Sequence, residues 1–210
     1  MAVGRALGRL GATWPHRLLS SPWIFEPIQR LLGQGRTEAE LKPFLVHAAS
    51  KSVLDIGAGT SLTIPLLPVV GRYTWLDIDP RRIGPFRRRC RRAGLTDAHA
   101  VVGDATSLCL REKSVDFVLC MALSHHLDDA GFGAMLDDIV RVTRESLLFY
   151  DSVITDGSTV SALIRRYDRG QYARREETID AMLERRFVVR DKASYKVYHR
   201  HIIRLCTPRG

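Results

Sequence analysis

Residues 53–60 read Val-Leu-Asp-Ile-Gly-Ala-Gly-Thr, an apolar run that passes through one acidic residue into a pair of glycines. The β-branched and apolar side chains of the run are typical of a buried strand. Gly57 and Gly59 allow the backbone to turn sharply and to approach a ligand where a Cβ would clash. In an open α/β sheet, such a turn forms a nucleotide-sized binding site at the carboxyl end of the first strand.

Two further acidic residues lie at the distances that a nucleotide-like ligand requires. Asp77 follows Asp55 by 22 residues, and a carboxylate about 20 residues beyond the glycine turn is the expected acceptor for a ribose diol. Asp79 is the local rival, but the proline after it favours a role as the cap of the next helix. Asp104, in Gly-Asp-Ala after the third predicted strand, could accept a hydrogen bond from such a ligand or open a turn.

Strands and helices must alternate to bring these residues together. The pattern from residue 51 onward predicts strands at 52–56, 72–77, 98–102, 115–120, 146–151, 187–189 and 199–206. It predicts helices at 37–48, 62–67, 81–93, 130–143, 158–168 and 175–185, with Thr60 and Ser61 as candidate N-caps. Such alternation indicates a parallel sheet with helices on both faces.

Over about 51–151, the chain resembles the class I S-adenosylmethionine (SAM)-dependent methyltransferases. Four features carry the resemblance: the glycine octet, Asp77, Gly-Asp-Ala and the Ser-His-His-Leu-Asp segment at 124–128. The His-His-Leu element is similar to that of the ubiquinone and menaquinone biosynthesis enzymes. The resemblance implies a Rossmann-like three-layer sandwich with a mostly parallel seven-stranded sheet and an antiparallel last strand. Ser61 replaces the usual third glycine, and the Pro-Gly-Gly turn common before strand five is absent.

The resemblance also implies SAM as cofactor and S-adenosylhomocysteine (SAH) as product. Asp55 would then accept from the cofactor's amino group, Asp77 from its ribose and Asp104 from its adenine. The full set of cofactor residues expected on this basis is Asp55, Gly57, Ala58, Gly59, Asp77, Ile78, Asp104, Ala105 and Met121.

His125 and His126 follow the fourth predicted strand, beside the expected position of the sulfonium. A histidine there could take a proton from a hydroxyl or carboxylic acid, because its ordinary pKa of ~6.5 lies near working pH. Either ring could instead pack structurally or orient the loop. No metal site is expected here, since adjacent side chains diverge.

The expected reaction is therefore methyl transfer to a small molecule, at an oxygen nucleophile. The candidate substrate residues are Trp23, Tyr150, Asp151, Tyr167 and Tyr172. One alternative is an RNA methyltransferase, although Cys-Met-Ala-Leu at 120–123 differs from the Asn/Asp-Pro-Pro-aromatic motif of base amino methyltransferases. Another is a protein of this fold that catalyses a different reaction, such as cyclisation.

Composition sets the broader expectations. The net charge of +9 arises from 27 Arg among 32 basic residues, which favours a GC-rich bacterial genome and a solvated surface over nucleic-acid binding. Four cysteines without a Cys-x-x-Cys pair indicate reduced thiols in the cytoplasm. An Arg-rich N-terminus without early acidic residues leaves organelle import as a lesser alternative.

The same sequence predicts the organisation of the chain. An N-terminal helical cap or lid is expected over 1–50, and a methyltransferase domain over 51–206 with a substrate-side insert at 152–177. No apolar run is long enough for a membrane span. The protein is expected to be a monomer or a homodimer.

Overall fold

The computed structural model describes residues 35–155, 171–197 and 200–209. Its seven strands form one sheet in the order β3-β2-β1-β4-β5-β7-β6. The strands are β1 (Ser52–Ile56), β2 (Arg72–Asp77), β3 (Ala98–Val102), β4 (Val115–Met121), β5 (Thr143–Val153), β6 (Phe187–Lys196) and β7 (Arg200–Pro208). Neighbours among β1 to β5 pair in parallel, whereas β7 is antiparallel to both β5 and β6. The predicted sheet is confirmed.

Helices cover both faces of the sheet, which confirms the three layers. The described helices are α1 (Gly35–Leu45), α2 (Ile83–Ala93), α3 (Asp129–Val142) and α4 (Glu176–Glu184). On one face, Phe44 of α1 and Phe86 of α2 belong to the same buried cluster as Trp75 of β2, whose ring stacks on that of Phe86. On the other, α3 and α4 bury Phe132 and Leu183 against the sheet. Burial of this apolar surface stabilises the arrangement that holds the strand ends together.

The chain after β1 departs from the prediction. A helix was expected over 62–67, but the described structure has only a single 3₁₀ turn at Ile64–Leu66. Pro65 and Pro68 remove backbone donors that an α-helix would need. Thr60 and Ser61 therefore cap no helix. Ser61 instead adopts a left-handed backbone conformation, with a φ of 55°.

The remaining differences concern element lengths. β5 extends beyond the predicted 146–151 at both ends, and β6 is far longer than the predicted 187–189. β6 pairs with β7 along its length, and the last two residues of β5 also pair with β7, whereas the first residue of β5 pairs with β4. The predicted helix at 158–168 lies outside the described residues. Within the described ranges, no helix is long and apolar enough to cross a membrane.

Candidate active site

Asp77, the last residue of β2, connects three loops at the carboxyl edge of the sheet. Its Oδ2 accepts from the backbone N–H of Gly59 at 2.8 Å, and its Oδ1 accepts from that of Asp79 at 2.9 Å. Its carbonyl accepts from the N–H of Gly103, the residue after β3, at 3.1 Å. A carboxylate offers about four acceptor positions, so both oxygens keep the capacity to bind a diol. Asp79 instead caps the 3₁₀ turn at Pro80–Arg82, as expected.

Alternate residues of β2 hold the glycine turn in place. The Tyr73 hydroxyl donates to Oδ2 of Asp55, and the Trp75 indole N–H donates to the carbonyl of Gly59 at 2.9 Å. Together with Asp77, these side chains share one face of the strand because side chains alternate with a period of two. Sequence reasoning identified only Asp77. The alternation of polar-tipped aromatic residues at 73 and 75 was the available signal for the other two.

Asp55 is buried beneath the glycine turn. Its Oδ2 also accepts from the Thr63 hydroxyl at 3.3 Å. Burial raises the pKa of Asp55 to about 7, although the hydrogen bonds from Tyr73 and Thr63 act to lower it. Oδ1 of Asp55 and Oγ of Ser61 are the two buried side-chain oxygens of the described residues that have no hydrogen-bond partner. Both lie at this turn, so the turn has unused polar capacity of the kind a ligand satisfies.

The ends of β2 and β3 present an apolar surface beside a carboxylate. Ile78 is 72% exposed and Val102 is 51% exposed, which is unusual for large aliphatic side chains in this domain. Asp104 is exposed, and its Oδ1 accepts from the backbone N–H and the hydroxyl of Thr106, both at 2.8 Å. The turn-opening role that the sequence left open is therefore present at Oδ1. Ala105 follows in the same turn.

The segment after β4 lies directly against the glycine turn. Gly57 has a φ of 65°, and a Cβ at this position would lie 2.7 Å from a methyl carbon of Leu123. Ala122, the residue after Met121, also adopts a left-handed backbone, with φ of 52°. This bend directs the chain from β4 across the turn at 57–59. Ala58 is held by its N–H, which donates to the carbonyl of Leu76 at 3.1 Å.

The first histidine of the pair lies in a buried polar cluster. Nδ1 of His125 lies 2.6 Å from Oδ1 of Asp151, and the His125 residue is only 6% exposed. The other Asp151 oxygen accepts from the Ser124 hydroxyl at 2.6 Å, and Oδ1 also accepts from the N–H of Ser152 at 2.7 Å. Because this Asp151 oxygen also accepts from the N–H of Ser152, we assign the imidazole proton to Nδ1. The pair has the geometry of a histidine oriented by a carboxylate.

The second histidine lies nearer to solvent. His126 is exposed, and its ring centroid is 4.2 Å from that of His125 at an angle of 48°. Within the described ranges, no group of three or more His, Cys, Asp or Glu side chains could hold a metal ion.

The predicted substrate residues separate into two groups. Asp151 contacts His125, whereas Tyr150 faces the opposite side of β5. The hydroxyl oxygen of Tyr150 lies 2.9 Å from Nδ1 of His201. Its hydroxyl also accepts from that of Tyr195 at 3.2 Å. Tyr172 is 43% exposed, and its N–H donates to the carbonyl of His125 at 3.0 Å. Trp23 and Tyr167 lie outside the described residues.

Sequence reasoning missed Arg174. Its side chain is buried, and it donates to the carbonyls of Ser124 at 2.8 Å and Leu127 at 2.7 Å. Nothing local in the sequence marks it, because its partners lie about 50 residues away along the chain.

The comparisons with known proteins agree with this geometry. Residues 53–146 match a family model described as "Methyltransferase domain". No curated protein matches the chain in sequence.

Three solved structures illustrate the fold. A putative methyltransferase, BH2331 of Bacillus halodurans C-125, superposes with a TM-score of 0.70 at 14% identity, covering 81% of this chain and 97% of that one. Magnesium protoporphyrin IX methyltransferase (ChlM) of Synechocystis PCC 6803, with bound SAH, gives 0.66 at 18% identity and covers 84% of each chain. The [4+2]-cyclase SpnF gives 0.64 at 14% identity and covers 81% of each chain. At these identities the likeness shows the fold, and the family model adds the sequence signature. Residues 53–146 of this chain therefore match the methyltransferase-domain family in sequence, on a fold shared with SAM-dependent methyltransferases.

Proposed function

We propose that this protein transfers a methyl group from SAM to an oxygen nucleophile of a small molecule, with His125 receiving the proton of that nucleophile. The observation that carries the proposal is the contact between Nδ1 of His125 and Asp151, at the sheet edge beside the glycine turn. Fixing the proton on Nδ1 makes Nε2 the basic nitrogen.

The residues at the carboxyl edge of β1, β2 and β3 fit the cofactor. Oδ1 of Asp55, buried and unpartnered, is suited to the methionyl ammonium. The carboxylate of Asp77, held by two backbone N–H groups, is suited to the ribose diol. The exposed side chain of Ile78 and the carboxylate of Asp104 are suited to adenine. When bound, SAM supplies an electrophilic methyl group on a sulfonium.

The chain's own residues supply the remaining parts of the reaction. Bound SAM would supply the methyl group to the acceptor's oxygen, and Nε2 of His125 would receive the hydroxyl proton that this oxygen gives up. Asp151 stabilises the imidazolium that results. A positioned base of this kind contributes about 10²–10⁴-fold to a rate.

Leu123 connects the two halves of the proposed site. Its side chain packs against Gly57, and two residues later the chain reaches His125. The base and the glycine turn are thereby held on neighbouring strands, β4 and β1. Most of the rate gain would come from holding the reactants in line and away from water. We assign the choice of acceptor to residues 1–35, the insert at 152–177 and the loop before the last strand.

The likeness to SpnF supports a second candidate, a reaction on this fold without methyl transfer. To distinguish the two, the protein is incubated with a small-molecule extract and either SAM or methyl-deuterated SAM, and products are analysed by mass spectrometry. Our proposal predicts a product heavier by one methyl group, with a matching deuterated counterpart. A substrate transformed without gain of a methyl group would indicate the second candidate, and label found in RNA would indicate an RNA methyltransferase.

A further inference from the structure

Arg174 is bonded to the turn that carries the two histidines. Its side chain is 6% exposed, and its two terminal nitrogens donate to the carbonyls of Ser124 and Leu127. Its Nε donates to Oδ1 of Asp129 at 2.8 Å, and its guanidinium lies 4.9 Å from the ring centroid of Phe132. One side chain therefore binds both ends of the 3₁₀ turn at Ser124–His126.

The backbone around Arg174 completes the attachment. The N–H of Tyr172 donates to the carbonyl of His125, and Nη1 of Arg174 also donates to the carbonyl of Tyr172 at 3.1 Å. The N–H of Ile154, just beyond β5, donates to the carbonyl of Arg174 at 2.8 Å. The short segment 172–174 thus donates hydrogen bonds to the backbone carbonyls of His125 and of residues before and after it. The same segment is hydrogen-bonded to the chain just beyond β5, the strand that carries Asp151.

The distribution of these bonds distinguishes Arg174 from an ordinary ion pair. Asp129, the acidic partner, has a side chain that is 80% exposed, so the ion pair itself contributes little to stability. Most of the buried donors go to neutral carbonyls of the turn. Only the planar, multi-donor guanidinium can reach several carbonyls in fixed directions, whereas the point charge of a lysine cannot.

We infer that Arg174 is a positioning residue that holds His125 against Asp151; its relevance to catalysis rests on the proposed function. It acts through the turn and is not assigned a contact with the substrate. Because Arg174 lies in the expected substrate-side insert at 152–177, the end of that insert sets the position of the proposed base.

The test is nuclear magnetic resonance of imidazole-¹⁵N-histidine in the full-length protein bound to SAH. In the wild type, we expect His125 to give one Nδ1–H tautomer with a slowly exchanging, downfield proton, and His125→Gln assigns that signal. In Arg174→Lys and Arg174→Ala, the signal is expected to be lost or to shift toward a mixture of tautomers. Arg186→Ala is the matched control, since Arg186 bonds Asp137 of the same helix α3 but has no bond to the turn.

SAH binding shows whether each variant is folded, and it should change by no more than about threefold, because the carboxylates assigned to the cofactor, Asp55, Asp77 and Asp104, lie on other loops. Arg174→Lys retains the buried charge and serves if Arg174→Ala does not fold. An unchanged His125 signal in folded Arg174→Lys would overturn the inference. If that signal changes but His125→Gln keeps the full methyl-transfer rate, the positioning role stands and the proposed base is wrong.

Discussion

Nδ1 of His125 and Oδ1 of Asp151 lie 2.6 Å apart, at the carboxyl ends of the adjacent parallel strands β4 and β5. Asp151 has no exposed surface and also accepts from Ser124 and Ser152. A carboxylate with this many fixed donors keeps its orientation, and it therefore fixes the orientation of the imidazole. This relationship turns one of two adjacent histidines into the better candidate for a base.

Replacing either member of this pair should slow catalysis without weakening cofactor binding. We expect His125→Gln to lower kcat by about 10²–10⁴-fold, the range of a lost general base, and Asp151→Asn to lower it in the same direction. The measurement is the rate of SAH formation with the acceptor found by mass spectrometry. His126→Gln is the matched control and should keep most of the rate. Full activity in folded His125→Gln would remove the base from the mechanism.

The pKa of Asp55 predicts how the stability of the ligand-free protein depends on pH. Burial raises that pKa to about 7, well above the value of about 3.9 in an unfolded chain. Folding therefore favours the protonated carboxyl, and the stability it contributes is complete below about pH 4 and is lost as the pH rises toward 7. Denaturant unfolding between pH 5 and 8 should show this loss in the wild type, and Asp55→Asn should flatten it. Equal slopes in the two proteins would contradict the assignment.

Cofactor binding should have the opposite dependence on pH. Only the ionised Asp55 attracts the ammonium of SAH, so the affinity should rise by up to about tenfold per pH unit as the pH approaches 7, and then level off. Isothermal titration calorimetry in several buffers measures both the affinity and the protons released. Asp55→Asn should bind weakly and with little pH dependence. A wild-type affinity that is constant from pH 5 to 8 would show that Asp55 does not receive the ammonium.

Two glycines with similar backbone conformations allow the cost of backbone strain to be measured apart from the cost of a side-chain clash. Gly57 and Gly94 have φ of 65° and 68°, but a Cβ at Gly94 would meet nothing within 4 Å. Gly94→Ala should therefore cost only the backbone strain, about 1–2 kcal/mol. Gly57→Ala should cost about 1 kcal/mol more, because the new methyl group meets Leu123.

Denaturant unfolding of the single and double variants measures that difference. In a Leu123→Ala background, the costs of Gly57→Ala and Gly94→Ala should become equal, since the contact has been removed. A persistent difference would mean that Leu123 does not restrict the turn. Gly57→Ala should also weaken SAH binding, whereas Gly94→Ala should not.

Most of the sheet could be predicted from the sequence, because its strands are short apolar runs between turn residues. β1, β2 and β3 begin and end where the pattern indicates. The helix expected after β1 fails because Pro65 and Pro68 interrupt an otherwise apolar segment. β6 was predicted too short, since its polar residues are stabilised by pairing with β7, which a local pattern does not contain.

The site was predicted only as separate residues. Both Asp151 and His125 were identified, but their contact depends on β4 and β5 being neighbours. The sequence also placed Tyr150 and Asp151 together as substrate residues, although successive strand residues point to opposite faces. Arg174 could not be predicted, because its bonds join segments that are distant in the chain.

The central claim, that the carboxyl edge of β1 and β2 binds SAM, is tested most directly by calorimetric titration of SAH into the wild type, Asp77→Ala and Asp79→Ala. The wild type should bind. Loss of the charged acceptor in Asp77→Ala should weaken binding by about 10–100-fold, since a hydrogen bond to a charged group contributes about 1.5–3 kcal/mol. Asp79→Ala should bind within about threefold of the wild type. No binding by the wild type, or equal binding by Asp77→Ala, would contradict the account.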